Sequence, residues 1–146
     1  MRRRTFRAGL GSAAAWPMVA RAQQAGGRMR RIGFLIPINA DDPLVQGSIT
    51  PFVQSLQQLG WTDGRNVAID IRSSSPDSDR LRAFAAELVA LAPDVLVTSG
   101  AGVRPLRQAT RTIPIVFAGA NDPVGAGLVE SLARPGGNVT GFGLLE

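Results

Sequence analysis

Small hydroxyl, amide and glycine residues gather in four short stretches of this sequence, each after an apolar run: PINADD (37–42), SSSPD (73–77), TSGAG (98–102) and AGAND (118–122). TSGAG carries the most chemistry. It precedes a helical pattern, so free backbone N–H groups and a hydroxyl can hold an anionic group such as a carboxylate at a helix N-terminus. A simpler reading stands beside it, in which Ser99 caps the helix and the glycines make the turn; one residue can do both. Gly100-x-Gly102 also looks like the start of a dinucleotide fingerprint. It fails as one, because Pro105 occupies the position of the third glycine and the stretch follows the third apolar run rather than the first. Asp41, Asp42 and Asp122 imitate the carboxylate cluster of a phospho-acceptor or Mg²⁺ site, but the chain has no lysine to complete phosphoryl transfer, and they read better as helix caps and pocket-tuning groups. Cysteine and histidine are absent as well. That removes thiol nucleophiles, Ser-His-Asp triads and the common zinc sites, so the sequence reads as a non-enzyme with no cofactor and no metal.

The elements that would position these stretches alternate regularly. RIGFLIP (31–37) and DVLVTSG (94–100) are short continuous apolar runs, as is IPIVFAG (113–119); strands covered on both faces read this way. NVAIDIR (66–72) alternates instead, with Val67, Ile69 and Ile71 against smaller or polar residues, as an edge strand does. NVTGFGL is a fifth strand, and the sequon-like Asn138-Val139-Thr140 is read as its start rather than as a glycan acceptor. Between the strands lie helical patterns at about 44–59, with Thr50-Pro51 as a cap partway along, then at 79–92, 101–111 and 122–134, the last weakened by Gly125 and Gly127. Five strands separated by four helices predict an α/β fold: a five-stranded parallel sheet with helices on both faces, in the order 2-1-3-4-5. Ile32, Phe34, Val95, Val97, Ile115 and Phe117 are the expected core. In such a sheet ligands bind at the carboxyl ends of the strands, where all four polar stretches fall.

Charge and the amino terminus are linked. The 146 residues are 45% hydrophobic, enough for one domain with a core, and the net charge is +5. All sixteen basic residues are arginine, and Arg2, Arg3, Arg4, Arg7 and Arg21 lie in the first twenty-two positions; setting these five aside leaves eleven arginines against eleven acids. The basic character therefore belongs to the leader and gives no ground for nucleic-acid binding. Residues 1–22 read as an export signal: a basic start, a mildly apolar middle from Ala8 to Ala20, and Ala20-Arg21-Ala22 in the small-x-small pattern, with cleavage before Gln23. The middle falls well short of the roughly 20 residues a membrane span requires. Arg3-Arg4-Thr5-Phe6 matches a twin-arginine core, with a Sec leader as the alternative. Residues 23–30 are a linker, and the expected destination is the periplasm of a Gram-negative bacterium.

Three stretches carry a family resemblance: the leader ending AAAWPMVARAQQ, VQSLQQLGWTDGRNVAIDIR, and IPIVFAGANDPVGAGLVESLARPGGNVTGF. Together they resemble the tryptophan-binder-related substrate-binding proteins of ABC transporters. The resemblance implies the fold of type I periplasmic binding proteins, two α/β lobes closing on a small solute, and an ABC permease in the inner membrane as partner. It further implies that 31–146 is the amino-terminal lobe with the second lobe missing, and that the exposed inter-lobe face is free to self-associate. By the same resemblance Asn39, Ser99, Gly100, Ala101, Asn121 and Asp122 form the cleft wall, with Ser99 to Ala101 donating to a carboxylate and Asn121 or Asp122 meeting an amine or other polar group. The alternative from another class is a small flavodoxin-like or phosphoryl-accepting α/β enzyme, which shares the strand order.

Overall fold

The computed structural model describes residues 28–131 and 133–144. The expected export signal, its twin-arginine match and most of the expected linker lie outside the described residues. The chain runs β1 (Arg30–Ile36), α1 (Pro43–Gln58), β2 (Val67–Ser73), α2 (Asp79–Ala90), β3 (Val95–Ser99), α3 (Gly100–Ala109), β4 (Ile115–Ala120) and β5 (Val139–Gly143). All neighbouring strands pair in parallel, in the order β2-β1-β3-β4-β5. No helix among the described residues is long and apolar enough to cross a membrane.

Crossover direction decides which face each helix covers. The step from β1 to β2 runs one way along the sheet and the steps from β2 to β3 and β3 to β4 run the other, so right-handed crossovers put α1 on one face and α2 and α3 on the opposite one. Side chains follow this division. Leu35, Leu96, Ile115 and Phe117 are fully buried with Leu88 of α2 and Val103 and Leu106 of α3, whereas Phe34 and Ile36 pack with Val45 and Phe52 of α1. At roughly 25 cal/mol per Å² of apolar area, the first cluster dominates folding.

The expected core holds in part. Phe34, Ile115 and Phe117 are buried, but Ile32, Val95 and Val97 are only half-buried. They face the α1 side, and α1 reaches little beyond β1 and β2. Farther along that face Ala118 is exposed and Phe142 is 73% exposed.

Two local expectations are corrected. Helix α1 is capped by Asp42, whose carboxylate accepts from the N–H of Leu44 at 2.9 Å, with Pro43 in its first turn; it then runs through Thr50-Pro51 without a break. Pro51 lacks an N–H and crowds the carbonyl four residues back, and Gly47 supplies that position with a backbone free to adjust. The predicted fourth helix, 122–134, is absent among the described residues, where Pro123 to Gly127 form turns.

Candidate functional site at the carboxyl ends of the strands

The sheet changes winding direction between β1 and β3, and in sheets of this order the loops after two such strands part and ligands bind between them. A buried hydroxyl fixes their spacing: Thr98 Oγ1 donates to the Leu35 carbonyl at 2.8 Å, across the pair Leu35–Thr98. Ser73 Oγ donates to the Ile38 carbonyl at 2.6 Å, tying the end of β2 to the loop that carries Asn39.

Ser99 occupies the N-cap position of α3, yet its side chain makes no capping hydrogen bond. Of the two roles open to it in the sequence, capping is thus unused and the hydroxyl is free. The N–H groups of Gly100, Ala101 and Gly102 begin the helix with no carbonyl four residues back inside it. The result is a half-buried hydroxyl beside donors at the positive end of a helix dipole.

Close packing holds this junction. A Cβ on Gly102 would overlap Thr98 Oγ1, and one on Gly100 would stand 3.0 Å from the Ala120 Cβ. Ala120 points inward because the β4–β5 register shifts between Ala118 and Ala120, with Gly119 at φ +74°. That bulge brings the end of β4 at Ala120 against the start of α3, and the exposed Asn121 follows directly after it in the chain.

Of the six residues expected in the wall, Ser99, Gly100 and Ala101 lie at the start of α3, and Asn121 follows the Ala120 that packs against Gly100. Asn39 stands exposed on the loop after β1, with its carbonyl accepting from the N–H of Asp42 at 2.9 Å. Asp122 sits at φ +40°, and its carboxylate accepts from the N–H of Gly125 at 2.9 Å, so it turns into its own loop. Thr98 and Gly102 were not singled out as contributors from the sequence. Only the adjacency of a hydroxyl and a glycine at 98 and 102 marked them, and the contact with Leu35 is invisible in local spacing. Asn138 directly precedes β5, and its amide donates to the Ile113 carbonyl at 2.8 Å, in keeping with a strand start. Among the described residues no group of acidic side chains could hold a metal ion.

Known proteins share this fold. The family model of ABC transporter substrate binding proteins matches residues 35–144. A tyrosine-binding protein of Clostridioides difficile (strain R20291) is 36% identical over 91 residues, which is 62% of this chain and 26% of that protein. Among solved structures, an ABC domain in complex with L-Trp from Streptococcus pneumonia is 31% identical with a TM-score of 0.71, covering 80% of this chain and 39% of the other. A ligand-free, open substrate-binding protein with adhesive properties from Clostridium difficile is 31% identical with a TM-score of 0.69, covering 77% and 38%. The chain therefore spans about a quarter of the curated relative and two-fifths of these structures. The matched residues run from β1 through β5 and include every residue of the strand-end wall, and on that ground the chain belongs to the ABC transporter substrate-binding protein family.

Proposed function

We propose that this chain forms one wall of the solute site of an ABC importer and holds the carboxylate of an amino acid at the start of α3. The observation that carries this reading is the uncapped N-terminus of α3, where a free Ser99 hydroxyl and the N–H groups of Gly100 and Ala101 converge. An anion there meets oriented donors and the positive end of the helix dipole. Asn121 supplies an amide for the amine or a side-chain polar group, and Asn39 closes the site from the loop after β1. The L-Trp complex and the tyrosine-binding relative favour an aromatic amino acid. On this reading the protein binds and delivers its solute without chemical change, to a permease in the membrane.

Residues 1–22 direct the chain across the cytoplasmic membrane by the twin-arginine route, and a Gram-negative periplasm is the destination. The tyrosine-binding relative comes from a Gram-positive organism, so the binding role itself does not depend on a periplasm. Family membership favours a solute binder over the flavodoxin-like or phosphoryl-accepting alternative, which shares the strand order but rests on nothing else here.

Calorimetry with L-tryptophan and L-tyrosine, each against the amine lacking the carboxylate, tests the reading. Saturable binding of the amino acids with little or none of the amines is expected. Equal binding of the amines would remove the carboxylate from the account.

A further inference from the structure

The connection from Asp122 to Asn138 leaves space beside α3 where a helix would have lain. Two cavities of about 520 and 570 Å³ open there, both bounded by Arg111, Gly136, Gly137 and Asn138, and the first also by Arg107 and Glu130. They lie at the last turn of α3 and the amino ends of β4 and β5, the opposite end of the sheet from Ser99.

Arg104 and Arg107 lie one turn apart on α3, Arg111 follows just past its end, and all three border one smaller hollow of about 180 Å³. Five other arginines find carboxylates: Arg28 and Arg30 pair with Asp94, Arg31 with Asp70, Arg72 with Glu87 and Arg82 with Asp79. Among the described residues Arg65, Arg80 and Arg134 form no ion pair either, but Arg104, Arg107 and Arg111 go without one together, around a single hollow. Arg107 is held in place through Nη1, which donates to the Gly127 carbonyl at 2.8 Å. Arg107 and Arg111 also line the first cavity, where Glu130 is the acidic residue, so the excess of positive charge is at the smaller hollow.

We propose that this arginine-lined hollow binds an oxyanion of the phosphate class. Guanidinium forks match the oxygen geometry of phosphate, and three like charges around one hollow repel until an anion sits between them. The negative end of the α3 dipole stabilises the arginines but opposes an anion, so the attraction comes from the side chains. The cavity of about 520 Å³ that shares Arg107 and Arg111 with the hollow leaves room for a group esterified to the anion. Its source is a free phosphate compound or a phospholipid headgroup, and the test separates the two.

Amide and arginine Nε resonances of the full 146-residue chain are followed as sodium phosphate is added, with sodium chloride at matched ionic strength as the reference. Saturable shifts at Gly136, Gly137, Arg107 and Arg111 are expected, weakened about tenfold in the double variant Arg104→Gln/Arg111→Gln, which removes roughly 1.4 kcal/mol of attraction. In parallel the chain is sedimented with phosphatidylglycerol or phosphatidylcholine vesicles. Retention by the anionic vesicles alone, lost in the double variant, assigns the headgroup; phosphate shifts without retention assign a soluble phosphate compound. Shifts no larger than with chloride and no selective retention overturn the proposal, as does either signal persisting unchanged in the double variant.

Discussion

The tripeptide Gly-Ala-Gly occurs after β3 (100–102) and again after β4 (125–127), and the two copies behave differently. The first opens helix α3; the second lies in consecutive turns. Glycine disfavours a helix by about 1 kcal/mol per residue in either place, so propensity does not separate them. Packing does. After the first copy, Val103 and Leu106 go fully into the core, and the glycines themselves lie where a Cβ would strike Thr98 or Ala120. After the second, both glycines are exposed, Gly127 adopts φ +68°, and the Asp122 carboxylate takes the Gly125 N–H within its own turn. Helices of this length are marginal without tertiary contacts. The chain forms one where residues a turn apart, Val103 and Leu106, both enter the core, and the proposed binding wall lies there.

The sharpest way to break the comparison is an alanine in each copy. Gly102→Ala puts a Cβ into Thr98 Oγ1 in a fully packed site, and a loss of about 3 kcal/mol is expected, read by urea denaturation, with solute binding lost as the α3 junction shifts. Gly125→Ala meets only the Asp122 carboxylate, which is exposed and can swing aside, so it costs under about 1 kcal/mol, the worth of the turn's capping bond. Equal costs at the two positions would show that packing does not distinguish the copies.

Thr98→Val sharpens the same contrast more gently. It keeps the shape and removes the hydroxyl that joins β3 to the Leu35 carbonyl, for an expected loss of about 1–2 kcal/mol. A change within about 0.5 kcal/mol would place the anchor elsewhere.

The smallest effect lies at the far end of β3. Asp94 holds the N–H of Arg31 at 2.8 Å, and this bond, aided by the charges of Arg28 and Arg30 against a partial desolvation, keeps its carboxyl below the usual range. A depressed native value means that its stabilisation is fully present above the unfolded pKa of about 3.8 and is lost as pH falls through the lower folded value. Asp94→Asn should therefore be slightly less stable than the native chain at neutral pH and converge with it in acid. A difference that grows on acidification would reverse the assignment.

Much of this was legible in the sequence. Continuous apolar runs against one alternating run gave the strand order, because central and edge positions demand different faces. The strand-end loops followed from the same reading, whereas the wall residues named on them, Ser99 and Asn121 included, came from the family resemblance and belong to the proposal. What was not legible depends on contacts between distant segments. Val129 reaches the main core and Leu128 packs against it, but from turns, because two exposed glycines and the Asp122 carboxylate captured on Gly125 hold the preceding segment out of a helix. Half-burial of Val95 and Val97 depends on how far α1 reaches across the sheet. The inward Thr98 hydroxyl requires the Leu35 carbonyl, and the arginine-lined cavity exists because a predicted helix did not form.

The central claim is that the uncapped start of α3 receives the solute. Adding L-tryptophan to the ¹⁵N-labelled chain while following each backbone amide tests this most directly. The account predicts saturable shifts centred on Gly100, Ala101 and Asn121, weakened about tenfold by Ser99→Ala. Shifts centred on Arg107, Gly136 and Gly137, or unaffected by that substitution, would contradict it.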